Sequence, residues 1–172
     1  MEKEKVLLNA TLCYLIRDSK VLLALKTKKI GKGCYNGYGG GIEFRENPSE
    51  AAIRELREES GGVKAKPKDL SKVAVIDFHN ATAEGKTFVC RVHVFFLYKW
   101  EGEPSETDEM ADPAWFDFNN LPDNLMLADK TWLPLVLEGK RIQVKASYGP
   151  FQKTLIGDVE VKEVRCFNRL FL

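Results

Sequence analysis

Three glutamates, Glu55, Glu58 and Glu59, are gathered in the segment PSEAAIRELREES, residues 48–60. The segment is signed as a helix at both ends. Asn47 is a good N-cap, Pro48 fits the first helical position, and Glu50 stands where a capping box needs it. Gly61 and Gly62 supply a left-handed stop. At about 100° per residue the helical wheel has three faces. Ala52, Ile53 and Leu56 face the core, Glu50, Arg54 and Arg57 point away, and Ala51, Glu55, Glu58 and Glu59 share the third side. Like charges at spacings of three and four repel by roughly a few tenths of a kcal/mol per pair. The wheel alone leaves two readings open. One is a solvated acidic face, partly compensated by Arg54 and Arg57; the other is a site for a hard divalent cation such as Mg²⁺, which takes carboxylates, waters and phosphate oxygens.

The rest of the chain must position these acids. Residues 6–16 and 20–27 read as two strands around a turn at Arg17-Asp18-Ser19-Lys20, and a glycine-rich loop follows, ending near Glu43. Residues 71–79 and 87–99 read as longer strands, the second rich in β-branched and aromatic side chains. An acidic loop over 101–111 leads to a short strand, AWFDF. A helix is expected from about Lys130 to Leu137 despite Pro134, with a hairpin from 142–149 and 152–164 closing the chain. Strands outnumber helices, so the expected class is α+β: a mixed β-sheet sandwiched between helices, in a single domain over residues 1–172.

Composition narrows the partner. With 26 basic and 25 acidic side chains the net charge is +1, which points to a local pocket rather than to a nucleic-acid polymer or a membrane surface. The N-terminus lacks the cleavage pattern of a signal peptide, and no apolar run approaches the roughly 18 residues of a membrane span. Cys13, Cys34, Cys90 and Cys166 are scattered, without zinc-site pairing, and are expected as reduced thiols of a cytoplasmic monomer.

The neighbourhood of the helix decides between the two readings of its acids. The stretch Gly40–Gly62, GGIEFRENPSEAAIRELREESGG, resembles the Nudix box, G-x5-E-x7-R-E-U-x-E-E-x-G-U, where U is a bulky aliphatic. Gly40, Glu46, Arg54, Glu55, Leu56, Glu58, Glu59 and Gly61 match; Gly62 departs, and Val63 brings the aliphatic one residue late. The resemblance extends over residues 11–165 and is closest to the MutT-like diphosphatases of oxidised purine nucleoside triphosphates, the animal form in particular, through TLCYLI, KGCYNGYGGGI, ETDEMADPAWF and DKTWLPLVLEGK.

That resemblance implies a division of labour. Glu55, Glu58 and Glu59, with the carbonyl of Gly39, would hold Mg²⁺ or Mn²⁺, and Glu46 with Arg54 would form a structural ion pair. Glu109 is a candidate for the base or for a further metal contact. At the base end, Asn36 would hydrogen-bond the purine, since an amide can offer both donor and acceptor. Asp129 matches one of two adjacent acids, Ala128 replaces the other, and Met126 stands where a tryptophan stacks. Thr11, Lys26 and Ile30 fall at pocket-lining positions, while Trp115 and Trp132 are expected in the core. The implied reaction converts 8-oxo-dGTP or 2-hydroxy-dATP to monophosphate and pyrophosphate, a housecleaning of the nucleotide pool linked to DNA repair. Two alternatives stay open: the same chemistry on a dinucleoside polyphosphate or nucleotide sugar, and a catalytically silent nucleotide-binding regulator. No proline-rich signature of the ADP-ribose enzymes follows the box, and a pure sensor has no need of the crowded acids.

Overall fold

A computed structural model describes residues 4–167; both ends of the domain expected over 1–172 lie outside the described residues. The strands are β1 (Asn9–Arg17), β2 (Lys20–Lys26), β3 (Tyr35–Asn36), β4 (Leu70–Ala81), β5 (Thr87–Leu97), β6 (Met110–Asp117), β7 (Ile142–Tyr148) and β8 (Leu155–Glu163). The helices are α1 (Pro48–Glu59) and α2 (Asp129–Leu137). The sheet runs β3-β2-β1-β5-β4-β7-β8, with β6 on the far side of β2. It is mixed: β1 and β5 are parallel, as are β4 and β7, and the remaining pairs are antiparallel.

Alternation along the central strands builds two cores. Tyr14 and Ile16 of β1 join Val92, Val94 and Phe96 of β5 against Trp132, Leu133 and Val136 of α2. Cys13 and Leu15 join Phe95 and Leu97 on the opposite face, against Ala52 and Leu56 of α1. A helix therefore covers each face, as the α+β sandwich requires.

The feature that creates the site is a parting between β1 and β2. Asp18 and Ser19, at φ 50° and 59°, make a two-residue hairpin turn whose twist suits the strands. The two strands then pair only at Ile16↔Val21 and Arg17↔Lys20. Beyond that point β2 turns to β3, at Ala24↔Asn36 and Leu25↔Tyr35. The glycine segment 37–41 fills the wedge and bonds to β1 in place of β2. Cys13 N–H donates to Tyr38 O at 2.7 Å, Tyr38 N–H to Cys13 O at 3.0 Å, and Thr11 N–H to Gly40 O at 2.9 Å. There is no room for a side chain at Gly37 or Gly39: a Cβ on Gly39 would stand 2.0 Å from Thr11 O, and one on Gly37 2.8 Å from the Tyr14 ring.

Several boundaries differ from those read in the sequence. β1 starts at Asn9 rather than at residue 6. β6 begins at Met110, inside the stretch expected as an acidic loop, and tolerates Pro113 because it pairs on one side only, with β2. On α1 the buried stripe is rotated from the one expected. Ala51, Ala52, Leu56 and Glu59 are buried and Ile53 is only partly covered. Arg54, expected to point away, is folded under the loop that precedes the helix. Gly39→Ala is expected to destabilise the fold by about 3 kcal/mol or more, since backbone cannot yield as a side-chain tip can. A urea midpoint within error of wild type would contradict this account of the wedge.

Candidate active site

The capping box that positions α1 is closed. Asn47 Oδ1 accepts from Glu50 N–H at 2.9 Å, and Glu50 Oε2 accepts from Asn47 N–H at 3.0 Å. At the other end Gly61 takes φ 76° and Gly62 N–H donates to Arg57 O at 2.9 Å. Ser105 N–H then donates to Ser60 O at 2.9 Å and Thr107 Oγ1 to Glu59 O at 3.0 Å. These bonds draw the loop bearing Glu109 against the end of the helix.

Arg54 ties the loop to the acids. Its Nε and Nη2 meet Glu46 Oε1 and Oε2 at 2.8 and 2.9 Å, a bidentate pair, and Nη2 also donates to Gly41 O at 2.9 Å. Nη1 reaches Glu55 Oε1 at 2.8 Å and Glu58 Oε2 at 3.5 Å. The guanidinium holds the Glu46 carboxyl below its ordinary range. Glu55 lies flat against Gly40, where a Cβ would stand 2.5 Å from its Oε1. Glu58 is the most open of the three acids.

Glu59 is the buried one, 8% exposed. Burial pushes its carboxyl up to about 7, the neighbouring Glu55 and Glu109 adding to the rise and the Gly39 N–H, 2.9 Å away, opposing it together with Lys26. The Tyr38 hydroxyl, close enough to feel the Glu59 charge, is buried with no hydrogen-bond partner among the described residues. Both oxygens of Glu109 accept from Lys29 Nζ, at 3.1 and 3.0 Å, and Lys29 keeps that carboxyl below its ordinary range.

Among the described residues no three acid, histidine or cysteine side chains already close around one point. The donors at hand are carboxylate and backbone oxygens, which are hard ligands. Such a set fits a cation that keeps part of its water shell and takes phosphate oxygens, as magnesium does, rather than one that demands a full protein cage.

A second cluster lies on the α2 side of the sheet. Asp129 is 3% exposed and its Oδ1 accepts from Trp132 Nε1 at 2.9 Å. Burial pushes its carboxyl up to about 7 against the pull of Trp132 and Lys26. Asn36 Oδ1 accepts from Tyr14 Oη at 3.0 Å and from Gly37 N–H at 2.8 Å. Met126 and Lys26 converge on Gly31, where a Cβ would stand 2.9 Å from Met126 Sδ and 3.2 Å from Lys26 Cδ. Lys26 joins the two clusters, its charge acting on Glu59, Glu109 and Asp129 alike.

The structure thus gathers Tyr14 with Asn36, Asp129 with Trp132 and Lys26 with Met126 on one side, and Glu55 and Glu58 with Arg54 and Glu59 with Gly39 on the other. Ile30 is partly covered in the turn between β2 and β3. Thr11 is buried, shares the strand parity of Cys13 and Leu15, and its Oγ1 has no hydrogen-bond partner among the described residues. Sequence reasoning missed Tyr14, and it treated Trp132 as core alone. Trp132 follows Asp129 by three residues on a helix, a spacing at which contact was legible; Tyr14 could be placed only with the strand register known.

Comparisons with known proteins give the family and the fold. A profile described as NUDIX domain matches residues 6–136. Curated relatives include the oxidized purine nucleoside triphosphate hydrolases of Danio rerio and Mus musculus. They are 40% and 35% identical over 132 residues, 76% of this chain and 80% of each relative. A solved MutT protein from Bacillus halodurans shares the fold with a TM-score of 0.72 at 22% identity, over 90% of this chain and 97% of its own. The chain belongs to the Nudix family of hydrolases. Enzymes of this family generally use a divalent metal.

Asp129 makes stability depend on pH with a defined sign. Unfolded chains ionise it near 3.8, whereas the folded protein keeps the proton to about 7. The contribution of Asp129 to stability is therefore fully present below about 3.8 and declines as pH rises toward about 7, by about 1.4 kcal/mol per unit. Asp129→Asn should remove one proton's share of that slope, measured by urea midpoints at pH 5, 6 and 7. An unaltered slope would show that Asp129 is already ionised in the fold.

Proposed function

We propose that this chain is a Mg²⁺-dependent diphosphatase of oxidised purine nucleoside triphosphates, such as 8-oxo-dGTP or 2-hydroxy-dATP, releasing monophosphate and pyrophosphate. It would act as a single Nudix domain over residues 1–172, as a monomer in the cytoplasm, on a small-molecule substrate. One observation carries the reading: the charge of Lys26, which packs beside Met126 at Gly31, acts both on buried Glu59 of the acidic helix and on buried Asp129, which suits one cation serving phosphates and base alike. The names of the fish and mouse relatives support the oxidised purine as substrate.

Glu55, Glu58 and Glu59, with the Gly39 carbonyl, would hold Mg²⁺, and Mn²⁺ would serve as well. A bound dication neutralises phosphate oxygens and lowers the pKa of water. The remaining work falls to the chain. Lys26 aligns the phosphates between the two ends of the cleft. Glu59, held by the Gly39 N–H at 2.9 Å, would offer its carboxylate to the cation. Glu109, kept ionised by Lys29, suits orienting or deprotonating the attacking water. Asn36 and Asp129 hold the base edge while Met126 packs on its face. Among the described residues no helix is long and apolar enough to cross a membrane.

The test is a panel of 8-oxo-dGTP, 2-hydroxy-dATP, their parent nucleotides and ADP-ribose, scored by kcat/KM with Mg²⁺ present. Oxidised triphosphates should lead, with pyrophosphate as product, and Glu59→Gln should lower kcat by about 10²–10⁴-fold. Equal rates on dGTP and 8-oxo-dGTP would remove the substrate assignment; a fully active Glu59→Gln would remove the catalytic one.

A further inference from the structure

The amide of Asn36 is oriented by a group outside the cleft. Gly37 N–H can only donate, so the atom it meets at 2.8 Å must be the amide oxygen. Tyr14 Oη lies 3.0 Å from that same oxygen and must therefore donate its own proton. A carbonyl oxygen has two lone pairs, and both are now engaged. Among the described residues nothing accepts from Asn36 Nδ2. What the side chain can show a ligand is its N–H pair, which narrows the donor-and-acceptor role that sequence alone allowed.

We propose that Tyr14 is a specificity-determining positioning residue: its hydroxyl locks Asn36 as a donor, so the site selects bases that bring to that point an added oxo oxygen which the parent base lacks. The claim deepens the proposed function and rests on Asn36 facing the base. Tyr14 is fully buried, with Trp132 edge-on at 6.1 Å and Phe96 at 6.2 Å, so its ring has one orientation. Trp132 is also the donor to Asp129. One aromatic pair thus fixes both polar groups expected to read the base, from behind, without touching it. Burial raises the phenol well above its ordinary range, which keeps the proton in place at any working pH. A phenylalanine would pack the same contacts and lack only the lock.

Tyr14→Phe tests this. With the ring retained, the preference for an oxidised base over its parent should fall about tenfold, a loss typical of one hydrogen-bonding group's orientation rather than its removal. The change should appear in KM, with kcat within about twofold, because the metal helix is untouched. Added to Asn36→Ala, Tyr14→Phe should change the preference by less than about twofold, since the lock has nothing left to hold. Full preference in Tyr14→Phe, or additive losses in the double variant, overturns the proposal. The wild-type protein gives a second readout that needs no variant. The Tyr14 hydroxyl proton should be a slowly exchanging NMR resonance with a cross-peak to the Asn36 amide protons, and its absence would equally overturn the lock. If the wild type shows no base preference at all while this resonance is present, the substrate assignment fails and the lock stands.

Discussion

β1 and β2 stay paired for only two residues past their turn, and the wedge that opens between them is the constraint on which the site depends. Backbone hydrogen-bonding groups exposed by the parting must find partners. The glycine segment supplies them while lying too close to β1 for any side chain at Gly37 or Gly39. That segment ends at the loop that Arg54 ties to α1 and begins at Asn36. The acids of α1 and the Asn36 amide are therefore connected through one short stretch of backbone. Their separation is set by the sheet.

The electrostatics follow from the same packing. Glu59 and Asp129 are carboxylates in places where water is excluded, and both titrate near neutrality instead of near 4. Holding such groups costs stability at working pH. Among the described residues, Lys26 is the cationic side chain whose charge acts on both. A triphosphate with its cation would change the charge at each end of the cleft in the direction these residues lack. The strained balance of the free protein is in this sense complementary to its substrate. Arg54 has the opposite character, since its pairs with Glu46 and Glu55 are satisfied before any ligand arrives.

Much of this was legible in the sequence because the local signals agree with the fold. Asn47, Pro48, Glu50 and Gly61 bounded α1 correctly, and the turn at Asp18-Ser19 took the left-handed backbone expected of a two-residue hairpin. What failed did so where tertiary packing decides. Ile53 and Arg54 were assigned faces from the wheel, but the preceding loop wraps over one side of α1 and rotates the buried stripe. The start of β6 was hidden by acidic residues that an edge strand accepts. Tyr14 was invisible because its partner, Asn36, lies 22 residues away and meets it only across the wedge.

The account stands on carboxylates of α1 gathering a hard dication against a polyphosphate. Crystals grown with Mn²⁺ and a non-hydrolysable purine triphosphate, measured at the manganese absorption edge, address that directly. The anomalous signal should fall beside Glu59 and the Gly39 carbonyl, with the base against Asn36 and Asp129. Nucleotide bound in the cleft with no manganese at those acids would contradict it.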